Sequence, residues 1–319
     1  MPGNQPLHWL GGFIADLPTP FDDDDHIDWH AFEVLCEHQI RSGATAIVVG
    51  ETMGEASTLG RDEHEEIISA AASIASGRIA VIAGAGSNST SQAIELTTAA
   101  EAAGADAVLS VVPYYNKPMQ MGIVAHFQAI ADSTGLPIIL HDVPSRTMRE
   151  MSDQSIVQLS QSRQFIGLKD AVGSLARLFR LKSELPPAFR LLSGNDATAM
   201  AYLASGGDGC ISIVANLFPD LCHGFCASCA IHMPVSANLA GRIAALGALL
   251  SADSSVPALK FGMGVLGFMK TAVRLPLVEL VADARKAVAL AMTAVGEDDQ
   301  SMFCERARNP IPWSATRAL

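Results

Sequence analysis

Several features that would point to a membrane or secreted protein are scarce or absent in this sequence. Only 17% of its 319 residues are charged, yet no apolar run reaches the roughly 18 residues that a membrane-spanning helix needs. The opening stretch MPGNQPLHWLGG lacks the basic and then apolar pattern of a signal peptide. Six cysteines do not suggest a disulfide framework in a chain this long, which agrees with a reducing compartment. We therefore expect a cytoplasmic protein with no membrane segment.

An excess of positive charge is also absent. The chain has 33 Asp and Glu against 21 Lys and Arg, a formal net charge of −12. This balance argues against nucleic acid or an anionic membrane as a partner. Hydrophobic residues make up 49% of the chain, enough to bury a large core. The composition is typical of a globular enzyme, in which small anionic substrates need local positive groups.

A two-part unit repeats along the chain, in which an amphipathic helix pattern ends at a glycine and leads into a short apolar strand. Three corners show it, at residues 42–49, 103–110 and 206–212. Glycine supplies the left-handed helix cap, and a continuous apolar run is typical of a parallel strand covered on both faces. Eight strands are predicted, at residues 12–17, 45–50, 79–84, 107–112, 137–142, 165–170, 189–193 and 209–213.

Eight such units in succession predict an α/β fold, a closed (β/α)8 or TIM barrel. An open doubly wound sheet is the alternative, although no Gly-rich dinucleotide fingerprint follows the first strand. Polar residues at the starts of the helical patterns predict N-caps at Asp28, Thr90, Ser152, Ser174 and Asn195.

The strand pattern stops after residue 218. Residues 219–296 are predicted to be a C-terminal helical extension, with breaks near Pro234, residues 254–257 and residues 274–276. The barrel with the active site would then occupy residues 1–218. Residues 297–319 show no periodicity, so we expect a poorly ordered tail.

One lysine, Lys169, lies within the sixth predicted strand. Lysine is almost never fully buried without a partner, and burial favours the neutral amine that attacks a carbonyl carbon to form a Schiff base. The alternative is a strand-end lysine whose ammonium reaches solvent. In a barrel the chemistry lies on the loops after the strands. Those loops carry hydroxyl, phenol, imidazole and guanidinium groups, at residues 51–55, 113–118, 141–147, 193–196 and 212–216.

Six phrases carry a resemblance to a known family: TMGEASTL, PYYNKP, HDVPSRT, GLKDAVG, LLSGNDA and GGDGCISIVANL. In this order and at these spacings, residues 10–292 resemble the dihydrodipicolinate synthase and N-acetylneuraminate lyase family. The resemblance implies class I aldolases and related lyases on a (β/α)8 barrel with a helical extension. Such enzymes hold pyruvate or another 2-oxo acid as a Schiff base on the lysine after strand 6, here Lys169. The resemblance also implies that the reaction needs no cofactor and no metal.

The resemblance assigns the 2-oxo acid site to the loop after the second strand. Thr52, with the backbone of Met53 and Gly54, would receive the carboxylate and help to relay protons. Backbone N–H groups in a Gly-containing turn do bind anions. By the same resemblance, the backbone carbonyl of Ile211 would face the lysine amine.

Two further roles follow from the resemblance. Tyr115 would complete a proton relay across a subunit interface, in a homotetramer built as a dimer of dimers. Arg146 would bind the carboxylate of the incoming aldehyde, a bidentate task that suits a guanidinium. From local sequence alone, a core-edge tyrosine and a surface arginine are equally good interpretations.

Within the family, the strand 5 loop and the SGNDA segment favour the synthase branch. That branch would condense pyruvate with aspartate 4-semialdehyde, the entry step of lysine biosynthesis and thus of diaminopimelate. Three departures leave other functions open: His141 stands in place of the relay tyrosine, Met53 in place of a threonine and Glu51 in place of a glycine. The alternatives are another 2-oxo acid aldolase or dehydratase, and a catalytically silent 2-oxo acid sensor. Against a sensor stands the retained set Lys169, Tyr115, Thr52 and Arg146.

His141 is expected to replace the relay tyrosine as a catalytic residue. Imidazole titrates near pH 6.5, closer to neutral than a phenol does. Its shorter reach suggests a water between His141 and Thr52. The alternative is a histidine that only shapes the pocket.

Two sets of residues resemble metal sites. Cys222, Cys226 and Cys229 have the spacing of a cluster-binding loop, but positions i, i+4 and i+7 share one helix face, which favours core packing. Residues 22–26 form an acidic tract ending in histidine, for which a solvated loop before a helix is the better interpretation.

Overall fold

The computed structural model describes residues 8–230, 237–252 and 255–296, and its centre is a barrel of eight parallel strands. The strands pair in sequence order, and β8 pairs with β1 to close the barrel. The ends of all eight differ from the predicted ends by at most one residue, so the (β/α)8 fold is confirmed and the open sheet is wrong. The strands are β1 (Gly12–Asp16), β2 (Ala46–Val49), β3 (Ala80–Gly84), β4 (Ala107–Val111), β5 (Ile138–Asp142), β6 (Phe165–Asp170), β7 (Arg190–Ser193) and β8 (Gly209–Ser212).

Helices surround the barrel and continue beyond it. None of the helices in the described ranges is long and apolar enough to cross a membrane. The helices are α1 (Trp29–Arg41), α2 (Arg61–Ala75), α3 (Thr90–Ala102), α4 (Gln120–Ala131), α5 (Pro144–Thr147), α6 (Asp153–Ser160), α7 (Leu175–Glu184), α8 (Asp196–Ala204), α9 (Pro219–Ala230), α10 (Ala237–Leu250), α11 (Ser255–Val265) and α12 (Ala282–Gly296), with a 3-10 turn at Val214–Asn216.

Side-chain caps fix the starts of four barrel helices as predicted. Each of these side chains accepts a hydrogen bond from a backbone N–H in the first turn, at Asp28, Ser152, Ser174 and Asn195. The prediction for Thr90 is wrong, because Ser89 is the N-cap and Thr90 is the first helical residue. Its hydroxyl instead lies 2.9 Å from His126 Nδ1 of α4, so it connects α3 with α4.

The barrel interior has an apolar lower part and a polar upper end. Ile14 and Ile139 pack with other strand residues in a cluster inside the barrel. Because side chains alternate along a strand, the residue two positions further faces the same interior. Asp16 therefore follows Ile14, and His141 follows Ile139, at the end where the strands lead into their loops. Lys169 lies in register with His141 on the neighbouring strand.

The C-terminal helices are attached to the barrel through α8 and through the loop after β2. α10 packs against α8 and α12. Lys260 of α11 is fully buried, pairs with Glu55, and donates to the carbonyl of Ala272 at 2.8 Å. The backbone N–H of Arg274 donates to Glu55 Oε2 at 3.0 Å. We call this set the Glu55 anchor.

The predicted extension corresponds to α9–α12. Of the predicted breaks, residues 274–276 fall between α11 and α12, and residues 255–257 are the first residues of α11, whereas residue 254 lies outside the described residues. Pro234 and residues 297–319 lie outside the described residues. The division of the chain at residue 218 stays a prediction.

The described members of the two sets that resemble metal sites make ordinary packing and hydrogen-bond contacts. Cys222 is fully buried in α9, and Cys226 packs against the same core, whereas the side chain of Cys229 lies outside the description. Asp22 accepts hydrogen bonds from the N–H groups of Asp24 and His26 in an exposed loop. In the described part of the chain, no group of three or more His, Cys, Asp or Glu could hold a metal ion.

Candidate active site

Lys169 lies near the carboxyl end of β6, with only 5% of its surface exposed. Its ammonium does not reach solvent, so the interpretation as a strand-end surface lysine is wrong. Two carboxylates approach it from other parts of the barrel. Lys169 Nζ is 3.1 Å from Asp16 Oδ2 at the end of β1 and 3.4 Å from Glu51 Oε2 in the loop after β2.

The two carboxylates favour the charged ammonium form of Lys169, whereas burial alone would favour the neutral amine. Burial alone lowers the pKa of Lys169, but Glu51 and Asp16 outweigh it and raise the pKa above its ordinary value. The sequence-based expectation of a neutral resting amine is therefore wrong, because neither carboxylate was placed beside the lysine. The amine must lose a proton before it can attack a carbonyl carbon.

Glu51 links the lysine to His141. Its Oε1 lies 2.9 Å from His141 Nδ1, and its Oε2 accepts the backbone N–H of Thr52 at 2.6 Å. Burial would raise the pKa of Glu51, but Lys169 and His141 hold it well below its usual range. Glu51 therefore connects the His141 ring with the backbone of Thr52, and the water expected between His141 and Thr52 stays a prediction.

Glu51 is aimed inward by the close approach of two loops. Gly50 has a φ of +59°, in the left-handed region that favours glycine. A Cβ on Gly84, at the end of β3, would lie 2.3 Å from the Gly50 carbonyl oxygen and 2.8 Å from the Glu51 Cα. Only a glycine at position 84 leaves room for the chain to turn here. Glu51 is 7% exposed as a result.

His141 is almost fully buried and in contact with an anion. Burial and then the Lys169 ammonium lower its pKa below the ordinary 6.5. With Nδ1 facing the Glu51 carboxylate, the neutral ring carries its proton on Nδ1, and Nε2 is the basic nitrogen. The ring can accept a proton at Nε2 at neutral pH.

Asp16 differs from Glu51 in its surroundings. Its Oδ2 receives the Lys169 ammonium, but its Oδ1 is buried and receives no hydrogen bond from any residue in the described ranges. Burial raises the pKa of Asp16 to about 7; Lys169 lowers it and Glu51 raises it. Asp16 was not singled out from the sequence, although an aspartate that ends an apolar strand was a signal for it.

An ion-pair network behind the strands holds the ends of β5 and β6 together. Asp142 and Asp170 follow His141 and Lys169, so their side chains point out of the barrel. Arg177 of α7, itself 1% exposed, donates to Asp142 Oδ2 at 2.6 Å and to Asp170 Oδ1 at 3.1 Å. The network fixes the two strand ends from which the imidazole and the amine project.

A cavity of about 770 Å³ opens beside this cluster. Glu51 and Thr52 contribute to its wall, as does Arg146, which is exposed on the short helix α5. Arg146 Nη2 donates to Ser255 Oγ of α11 at 2.5 Å. Arg61 also contributes to the cavity wall, so the cavity has two guanidinium groups that could bind an anion, and Arg146 is the one that the sequence predicts for this role.

Three other predicted site residues lie apart from the cavity wall. Met53 buries its side chain in the outer core, and Gly54 offers its carbonyl to Thr19 Oγ1 at 2.7 Å. In the described residues, neither Met53 nor Gly54 donates its N–H to another backbone carbonyl. Ile211 packs its side chain inside the barrel. Their assigned roles, which rest on backbone atoms, stay predictions.

Tyr115 does not enter the site of its own chain. It is 90% exposed, with a φ of +70° that is rare for a tyrosine. The next segment is bound to the loop after α5, because Arg149 Nη2 donates to the carbonyl of Lys117 at 2.8 Å. Large apolar side chains are exposed together in this region, at Tyr115, Met119, Met121 and Met148.

Comparisons with known proteins agree with this architecture. A profile of the dihydrodipicolinate synthetase family matches residues 9–295. The chain is 41% identical over 287 residues to 4-hydroxy-tetrahydrodipicolinate synthase of Rhodopseudomonas palustris, which covers 90% of this chain and 96% of the relative. It is 40% identical over 288 residues to the synthase of Methylococcus capsulatus, covering 90% and 99%.

Solved structures give the same result. The 4-hydroxy-tetrahydrodipicolinate synthase of Methylacidiphilum fumariolicum superposes with a TM-score of 0.88 at 34% identity, covering 94% of this chain and 99% of that one. The chloride-inhibited dihydrodipicolinate synthase of Acinetobacter baumannii, complexed with pyruvate, gives a TM-score of 0.86 at 38% identity, covering 90% and 99%. The match spans the barrel and the helices that follow it, and the chain belongs to the dihydrodipicolinate synthetase family.

Proposed function

We propose that this protein is an aldolase-type lyase that condenses pyruvate with aspartate 4-semialdehyde, the reaction of 4-hydroxy-tetrahydrodipicolinate synthase. The observation that carries the proposal is the buried amine of Lys169 at the mouth of the barrel, in a chain of this family. No cofactor is needed, because the imine nitrogen itself withdraws electrons from the neighbouring carbon. The product would enter lysine and diaminopimelate biosynthesis.

In this reaction the Lys169 amine attacks the keto carbon of pyruvate. A C–N bond forms, the former carbonyl oxygen leaves as water, and a protonated imine remains. Loss of a methyl proton then gives the enamine, which attacks the aldehyde carbon. Thr52, with the backbone N–H groups of Met53 and Gly54, would hold the pyruvate carboxylate. The carbonyl of Ile211 would face the amine.

The remaining residues would serve proton transfer and the second substrate. His141 Nε2 would accept and return the proton that moves between the imine and the enamine. Arg146 would bind the carboxylate of the aldehyde, a role supported by its position on the cavity wall. Its hydrogen bond to Ser255 orients the guanidinium on the cavity wall.

Tyr115 would act on the site of a second copy, in a homotetramer built as a dimer of dimers. Its exposure, its left-handed backbone and the adjoining exposed methionines support an interface at this loop. Mixing two inactive variants, Lys169→Ala and Tyr115→Phe, would restore activity if Tyr115 works across the interface. Recovery would be absent if each chain used its own tyrosine.

The cytoplasm is the compartment that we propose. Cys36, Cys210 and Cys222 are buried thiols that form no disulfide, as a reducing environment allows.

Covalent capture tests the proposed function. Borohydride reduction in the presence of pyruvate should add one pyruvate-derived mass to the peptide that contains Lys169. The label should be lost in Lys169→Ala and kept in Lys182→Ala, a matched control on the exposed side of α7. Label on another peptide would overturn the assignment of Lys169.

A second candidate is another 2-oxo acid aldolase or dehydratase of the family, acting on a sugar acid or a hydroxy-oxo acid. Asp16, Glu51 and His141 favour it, since they give the lysine a more anionic environment than neutral hydroxyls would. Turnover of the pyruvate imine with a panel of aldehydes separates the two. A protein that forms the imine but turns over no aldehyde would be a 2-oxo acid sensor.

A further inference from the structure

Two carboxylates contact the same buried ammonium, yet they are not equivalent. Glu51 accepts hydrogen bonds on both oxygens, from Thr52 N–H, His141 and Lys169. Asp16 accepts a hydrogen bond from Lys169 on Oδ2, and its Oδ1 is buried without a donor among the described residues. The neighbouring Glu51 carboxyl raises the pKa of Asp16 further. A carboxylate with fewer donors is the better proton acceptor, because hydrogen bonds to the charged form stabilise it.

The charged groups around Lys169 come from several elements. Asp16 (β1) and Glu51 (after β2) face the amine directly, and His141 (β5) faces both Glu51 and the amine. Asp196, at the start of α8, is a more distant anion whose carboxylate is bound by Ser212 Oγ and the N–H of Ile213.

Arg146, after β5, is the further cation near His141. With His141 neutral and Asp16 ionised, the three groups that contact one another directly, the ammonium and the two carboxylates, carry a net charge of −1. A 2-oxo acid brings another negative charge into this space.

A neighbouring base must accept a proton from the Lys169 ammonium before the amine can attack the keto carbon. Glu51 is a poor acceptor, because its pKa lies well below its usual range. Asp16 is 3.1 Å from the amine, and the pKa of its carboxyl is raised to about 7, mainly by burial. A base whose pKa lies near the working pH is the most effective proton carrier.

We propose, on the basis of the function proposed above, that Asp16 is a further catalytic residue, the base that takes the proton from Lys169 and returns it to the departing oxygen. The steps balance without another reactant. The ammonium gives a proton to the Asp16 carboxylate, and the neutral amine forms a C–N bond to the keto carbon. The carbinolamine hydroxyl then takes the proton from Asp16, the C–O bond breaks, and water leaves. The products are the protonated imine and the Asp16 carboxylate.

This role predicts that the rate of imine formation falls at acid pH, a fall that we call the acid limb. Once Asp16 carries a proton before the substrate binds, it can no longer deprotonate Lys169, so imine formation slows as the pH falls through about 7. The substrate carboxylate adds negative charge to the buried site and raises the proton affinity of Asp16. The limb should therefore lie at higher pH at saturating pyruvate than at low pyruvate.

The test is a rapid-quench experiment, in which borohydride traps the pyruvate imine at timed points between pH 5.5 and 9 and intact mass measures it. Asp16→Asn should slow imine formation by about 10² to 10⁴-fold and remove the acid limb. Asp16→Glu should keep the limb and recover part of the rate. Asp132→Asn, an exposed residue after α4, is the matched control and should behave as the wild type does.

The pH dependence of imine formation in the wild-type protein tests the role of Asp16 even if Asp16→Asn does not fold. A wild-type rate without a limb between pH 6 and 8 overturns the role of Asp16, as does an Asp16→Asn rate within tenfold of wild type. A merely structural Asp16 would change thermal stability or the amount of active protein without moving the limb. If the wild-type protein forms no imine at Lys169, the proposed function fails as well. If the imine forms but its rate shows no acid limb, only the proposed role of Asp16 is refuted.

Discussion

Replacing His141 with glutamine tests whether the imidazole relays protons after the imine has formed. Glutamine has a similar length and keeps a donor toward Glu51, so the Glu51 side chain retains a neighbour. What is lost is the basic Nε2, since Nδ1 already faces Glu51 Oε1 at 2.9 Å. General acid or base catalysis contributes typically 10² to 10⁴-fold, or about 3 to 5 kcal/mol of barrier. A water that partly replaces the ring would leave a loss of at least about tenfold in kcat.

The pH dependence has a definite sign. Burial and Lys169 lower the pKa of His141 below 6.5, so the ring is neutral and basic at neutral pH and gains a proton only in acid. In the wild type, kcat should therefore fall on the acid side of 6.5. His141→Gln should lack this limb and still form the pyruvate imine at the normal rate. The ordinary imidazole pKa of about 6.5 would place this limb near neutral pH, and burial moves it lower.

The assay measures condensation with saturating pyruvate and aspartate 4-semialdehyde, together with trapped imine. A double mutant adds a further check, because Glu51 orients the ring. If Glu51 acts through His141, the double variant Glu51→Gln/His141→Gln should lose little more than the worse single variant. His26→Gln, at a histidine whose side chain is 78% exposed, is the control and should keep the wild-type kcat. Near wild-type kcat with an unchanged profile in His141→Gln would refute the relay.

Three further outcomes are expected. Arg146→Ala should raise the aldehyde KM at least about tenfold and spare pyruvate imine formation; an equal loss in both would mean a structural role. His126, buried with a pKa lowered to about 4, should reduce stability by up to about 3 kcal/mol as the pH falls from 6.5 to 4. Unfolding in urea should show this loss in wild type and not in His126→Asn. Arg177→Met should cost about 3 to 5 kcal/mol, because Asp142 and Asp170 would stay buried without their cation; a cost under about 1 kcal/mol would contradict this.

The strands could be predicted because their signals are local. A short apolar run that follows a glycine corner carries its own evidence, and the observed ends agree within one residue. The cap at Thr90 was wrong for a non-local reason, since the imidazole of His126, 36 positions away, engages its hydroxyl.

The charge state of the site could not be predicted in this way. Asp16 and Glu51 lie 153 and 118 positions from Lys169 in sequence, and only closure of the barrel brings them to the amine. Glu51 was noticed as a departure from the family pattern without a role. The sequence predicts which amine reacts, whereas the fold decides which groups hold its proton.

The Glu55 anchor has a consequence for how the protein is made. Thr52 belongs to a loop that emerges early from the ribosome, yet the backbone N–H that holds Glu55 belongs to Arg274, 219 positions later. Lys260, which neutralises Glu55, is also translated late. Until these residues arrive, a carboxylate destined for burial lacks both its cation and its donor, and burying it would cost several kcal/mol. The loop after β2 can therefore take up its final conformation only near the end of synthesis, so a chain that terminates before α11 would be a barrel without a finished candidate site.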